Sequence, residues 1–135
     1  MISGKCNCGA VSFRANAKVQ DIYMCHCSIC QKFTGSGGIP VIIVPKDMFS
    51  WLSGEDNVKI WKKPNADWES NFCNTCGSPT PGKNDDSTMF IPVGVITQGS
   101  ETLKMAHHIF VGSKPKWTNI CDEGKQHPEE FGSGN

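Results

Sequence analysis

Three cysteines and a histidine crowd the stretch Cys25-His26-Cys27-Ser28-Ile29-Cys30. Thiolates at C-x-C and C-x-x-C spacing chelate soft divalent metals. Residues i and i+2 share one face of an extended chain, and a tight C-x-x-C turn aims two sulfurs at one point. Two further groups follow these spacings, Cys6-Asn7-Cys8 and Cys73-Asn74-Thr75-Cys76, while Cys121 stands alone. Both of those groups end in Cys-Gly, at Gly9 and Gly77. Glycine there permits a positive φ and turns backbone N–H groups toward the thiolates. Cys30 is followed by Gln31 and lacks that device. Cys6, Cys8, Cys73 and Cys76 are therefore expected to share one complete structural zinc site, whose closed loop adds stability to a small core. Cys25, Cys27 and Cys30 are left as a triad, the donor set of a catalytic zinc with an open fourth position. Water, a substrate thiolate or a histidine could take that position. His26 is disfavoured because its ring, between two ligands, should point away; His107, His108 or His127 would close the site and make it structural. Cys121 is expected to be a small buried hydrophobe.

The bulk of the sequence narrows what these thiols serve. The chain has 135 residues, the size of one domain, with 38% hydrophobic residues, 14 Gly and 8 Pro. That is lean for a helical core and favours short strands joined by turns. The formal net charge is zero and Arg14 is the one arginine, so composition gives no support for a nucleic-acid partner. No apolar run approaches the roughly 20 residues of a membrane helix, and the N-terminus has no signal-peptide core. The expected location is the cytoplasm, where cysteines point to metal or redox chemistry rather than structural disulfides.

Positioning falls to short elements. Strands are expected over 10–15, 39–44, 58–61, 68–72 and 107–111, with a broken or bulged strand over 88–96 near Pro92-Val93-Gly94. A short helical turn is expected over 45–52, between Pro45 and Gly54. The polar segment from Asp122 onward is expected to fray. The result is a mostly β single domain over 4–121, with one or two short helical turns and a polar tail over 122–135.

Four groups of residues together resemble a known family. They are Gly4-Lys5-Cys6-Asn7-Cys8-Gly9; Cys25-His26-Cys27-Ser28-Ile29-Cys30-Gln31-Lys32 with Gly35-Ser36; Phe72-Cys73-Asn74-Thr75-Cys76-Gly77-Ser78; and His108-Ile109-Phe110-Val111 with Ser113-Lys114 and Trp117. In kind and order they resemble the glutathione-dependent formaldehyde-activating enzyme family. The resemblance implies a β-tent fold of stacked antiparallel sheets around zinc. It implies two zinc ions per chain, a structural one on Cys6, Cys8, Cys73 and Cys76 and a catalytic one on Cys25, Cys27 and Cys30. It also implies a carbon–sulfur lyase or synthase acting on S-hydroxymethylglutathione or another small thiol–aldehyde adduct. Three thiolates leave Zn²⁺ with a net negative charge, which favours handling a thiolate over strong carbonyl polarisation. Supporting roles are open to the Gly35-Ser36-Gly37-Gly38 turn, to Lys114 against a substrate carboxylate and to His108 as a proton shuttle. Trp51, Trp61, Trp68 and Trp117 are expected in core or rim positions. The rivals are a non-catalytic zinc module that binds glutathione or a protein, and a redox protein using the middle cysteines.

Overall fold

The computed structural model describes residues 1–134. Its strands, in chain order, are β1 (Ile2–Lys5), β2 (Ser12–Ala15), β3 (Asp21–Cys25), β4 (Ile39–Pro45), β5 (Phe49–Ser53), β6 (Val58–Lys62), β7 (Glu69–Cys73), β8 (Gly82–Lys83), β9 (Thr88–Pro92), β10 (Ile96–Gln98), β11 (Lys104–Ile109) and β12 (Lys125–Gln126). One α-helix, α1 (Ser28–Thr34), joins β3 to β4, and short 3₁₀ turns join several other strands. The protein is mostly β, as the sequence predicts. Among the described residues no helix is long and apolar enough to cross a membrane.

The chain forms two compact units, one from Met1–Val19 with Ile43–Thr102, the other from Gln20–Ile42 and the chain from Leu103 onward. In the first, β10, β1, β2 and β5 form an antiparallel sheet in that order. Phe13 and Ala15 of β2 are buried while Arg14 between them is exposed, the period-2 pattern of a half-buried strand. Phe13 stacks on Phe49, which meets Trp51 edge-on. Trp51 and Val58 pack against buried Cys6, Val11 and Cys73, so a thiol cluster is built into this core. The hairpin β6–β7 sets Val58 opposite Cys73.

In the second unit the order is β12-β11-β3-β4. β3 and β4 are antiparallel, with Cys25 opposite Ile39. β11 runs parallel to both β3 and β12, so this sheet is mixed rather than purely antiparallel. Parallel neighbours need long connections. β3 and β11 are far apart in the sequence, so the unit depends on distant segments meeting.

Three local expectations are corrected. The helical turn expected over 45–52 is confined to a 3₁₀ turn at Lys46–Met48 capped by Pro45, and the rest is β5, whose Phe49 and Trp51 pair with Ala15 and Phe13 of β2. Aromatic cross-strand pairing outweighs the helix-start signal of Pro45. The tail does not fray through the described residues. Lys125 and Gln126 pair with His107 and His108, and His127 is buried with its N–H donating to the His108 carbonyl. Asn135 of that tail lies outside the described residues. Cys121 is exposed rather than buried.

Candidate metal centres

The first thiol group lies in the first unit. Cys6, Cys8, Cys73 and Cys76 bring their four sulfurs within 4.8 Å of one another. Cys8 Sγ is 3.6 Å from Cys6 Sγ and 3.7 Å from Cys73 Sγ. A tetrahedral zinc with Zn–S bonds of about 2.3 Å requires sulfur separations of about 3.8 Å, so the donors fit such an ion in type, number and spacing. Gly9 and Gly77 have φ of +80° and +78°, the turn conformation their place after each pair predicts. The Gly77 N–H closes the Cys73–Cys76 turn on the Cys73 carbonyl. Backbone N–H groups of Cys76 and Thr75 draw the Cys73 thiol pKa down, against burial. The Ser78 hydroxyl, then its N–H, lowers that of Cys76 to about 5. The Val11 N–H donates to Cys6 Sγ at 3.3 Å and Asn57 Nδ2 to Cys73 Sγ at 3.5 Å. These donors favour thiolates, the form a metal takes.

The second group lies in the second unit. Cys25 ends β3, Cys27 is the N-cap of α1, and Cys30 is buried in its first turn. Their sulfurs also fall within 4.8 Å of one another, with Cys27 and Cys30 3.1 Å apart. The chain turns from strand to helix here because Cys27 has extended backbone and its sulfur accepts the Cys30 N–H at 3.3 Å. A helix is a second way to close a C-x-x-C chelate, and it uses no glycine after the second cysteine, where Gln31 stands. Gly35 takes the left-handed conformation at the far end of α1, and Thr34 Oγ1 lies 3.1 Å from both the Cys30 and the Gly38 carbonyl, which share its one proton. As three close thiols, the group concentrates charge on Cys27. The Cys25 thiol, then the Cys30 thiol and the N–H groups of Cys30 and Ile29, pull Cys27 down to about 2. Cys25 and Cys30 are pushed up in turn.

The histidines go elsewhere. His26 is 1% exposed and points into the unit, with Nε2 2.8 Å from Nδ1 of His108. His108 Nε2 meets Asp122 Oδ1 at 2.8 Å. His107 Nδ1 lies 3.1 Å from His127 Nε2, beneath the rings of Tyr23 and Phe131. None of the four joins the sulfur triad among the described residues. Lys114 donates to the carbonyls of Pro115 and Thr118, so its ammonium is turned onto its own loop. The Asp122–His108–His26 chain escapes sequence reasoning. C-H-C shows a histidine but not a partner 82 residues away.

Comparison with known proteins adds family and fold. A Halomonas elongata protein described as "Putative glutathione-dependent formaldehyde-activating enzyme" is 29% identical over 83 residues. That match covers 58% of this chain and 53% of the relative, so the chain spans about half the length of that curated protein. A crystal structure of a Rhodobacter sphaeroides protein superposes with a TM-score of 0.58 at 19% identity, covering 73% of this chain and 91% of that one. At that identity the likeness concerns the fold alone. The model of the glutathione-dependent formaldehyde-activating enzyme family matches residues 1–113, a span holding all three chelating groups and His108-Ile109-Phe110-Val111. The chain belongs to that family.

Proposed function

We propose that the protein is a zinc-dependent carbon–sulfur lyase or synthase for an adduct of glutathione, or another small thiol, with an aldehyde. Cys6, Cys8, Cys73 and Cys76 hold the structural ion, and Cys25, Cys27 and Cys30 hold the catalytic one. One observation carries this reading. The two thiol groups differ by one donor, and the four histidines are committed to other partners.

When bound by the triad, zinc supplies a Lewis-acid position for a substrate thiolate. Cys25 fixes its donor through β-sheet pairing with Ile39 and Ile109. Cys27 and Cys30 fix theirs through the first turn of α1. In the synthetic direction the thiol sulfur bonds to the carbonyl carbon and the thiol proton passes to the carbonyl oxygen. The lyase direction reverses both. The reaction adds no oxidant and releases no third product.

The test is the rate at which glutathione and formaldehyde exchange with their adduct, followed by NMR across an aldehyde panel. Wild type should exceed the uncatalysed rate, and Cys27→Ser should return it to background. Equal rates for both, with zinc still bound, would sink the enzyme reading and leave a binding module. A second reading, redox cycling of Cys27 and Cys30, is favoured by their 3.1 Å approach. It requires a reversible disulfide in chelator-treated protein, detectable by thiol counting.

A further inference from the structure

His26 stands between two proposed metal ligands, yet its ring serves a separate polar chain. Gly124 N–H and His108 Nε2 both reach Asp122 Oδ1 at 2.8 Å, and His108 Nδ1 reaches His26 Nε2 at 2.8 Å. Asp122 is held below the usual carboxylate range, chiefly by His108 and then by the Gly124 N–H. A carboxylate only accepts, so His108 must carry its proton on Nε2 and donate it. With His108 neutral, its Nδ1 then accepts from His26 Nε2–H. The Nδ1 of His26 is left as a bare lone pair. It is buried without a hydrogen-bond partner.

The main chain of His26 is pinned as well. Its N–H donates to the Ile109 carbonyl at 3.0 Å, and its carbonyl accepts Gln31 Nε2 at 2.8 Å. Ring and backbone together leave the Cys25–Cys27 segment little freedom. Asp122 anchors the chain from a side chain 41% exposed, and it lies beyond residue 113, where the family match ends.

We propose that Asp122 and His108 are positioning residues of the three-thiol site: they fix the orientation and tautomer of the His26 ring and so hold the Cys25–Cys27 segment in ligating geometry. The proposal rests on Cys25, Cys27 and Cys30 being a metal site. Outer partners of this kind are worth about 10- to 100-fold in metal affinity, and a wrong tautomer can disable a site whose geometry is otherwise intact.

The experiment uses the full chain, Co²⁺ as a spectroscopic probe, and a Cys27→Ser control that assigns the absorption of the three-thiol site. Long-range ¹H–¹⁵N spectra report the tautomers of His26 and His108. For Asp122→Ala and Asp122→Asn the expected result is roughly tenfold or greater loss of Co²⁺ affinity at the three-thiol site. The four-thiol site should be unchanged, the histidine tautomers altered, and Asp122→Glu should recover much of the loss. Wild-type affinity in both variants overturns the proposal, as does a loss of affinity with unaltered tautomers, which would mark a bulk structural effect. Wild type that takes up no Co²⁺ at the three-thiol site overturns the metal reading itself, and this proposal with it.

Discussion

Gly9 and Gly77 carry the same task at two places. Each follows the second cysteine of a close pair and has positive φ, and a Cβ at either would meet no atom within 4 Å. Any cost of replacing them therefore comes from backbone conformation rather than crowding. Gly77→Ala should destabilise the fold by about 1 kcal/mol. It should also weaken metal retention at Cys73 and Cys76, because the Gly77 N–H closes that turn. Urea unfolding and chelator competition would measure both; unchanged values in each would mean the turn is set by the sulfurs alone. This device was legible in the sequence because it is local: the cysteine spacing and the next residue suffice. The side of the chain to which His26 turns was also legible, since a ring between two cysteines whose sulfurs converge has little choice. Its partners were not. Nor was the exposure of Cys121, because a lone cysteine offers no spacing from which to read its surroundings.

At the scale of elements, strands with alternating or β-branched residues were readable, including the interruption of 88–96, where β9 gives way at Pro92 to a 3₁₀ turn at Val93–Val95. Helix α1 was not. It has seven residues and little apolar periodicity, and a cysteine rather than a serine or aspartate caps it. The join between β3 and β4 shows how closely these elements constrain the site. A Cβ on Gly38 would lie 2.1 Å from the carbonyl oxygen of Cys25 and 3.2 Å from the Met24 side chain. The obstacle is backbone, which cannot swing aside as a side chain can. Gly38→Ala must therefore push the end of β3 from the start of β4, at a cost of about 1–3 kcal/mol. We expect it to impair metal binding at Cys25, Cys27 and Cys30 while sparing Cys6, Cys8, Cys73 and Cys76, a difference that site-resolved Co²⁺ titration would reveal. Equal losses at the two sites would show that the damage is not confined to this strand pair.

Across the whole molecule, the two units bury different chemistry, and pH should separate them. The first buries chiefly apolar side chains such as Ile2, Phe13, Val44 and Ile91, whereas the second also buries His26, His108 and His127. This contrast was hidden in the sequence because two of the three buried histidines, His108 and His127, lie in β11 and the tail, where β12 docks in parallel beside β11. Burial, then the neighbouring His107 and Lys125 charges, depresses the His127 pKa. Burial, then His108 and Lys114, depresses that of His26. For a histidine lowered in the folded state, the unfolded chain takes up its proton first as pH falls. Stability is then full above the ordinary histidine value of 6.5, begins to fall there, and continues falling until pH drops below the depressed folded value. Asp122, lowered by His108 and the Gly124 N–H, adds a loss only at pH below its ordinary 3.8. The melting temperature of chelator-treated protein should thus decline from pH 7.5 to 5.5. His127→Gln should flatten that decline by up to about one proton's worth of linkage, even if it lowers stability at every pH. The comparison of slopes, not of melting temperatures, isolates the titration. An identical slope in the variant would mean that His127 gains its proton as readily in the folded protein as in the unfolded one, and that the tail does not seal it from water.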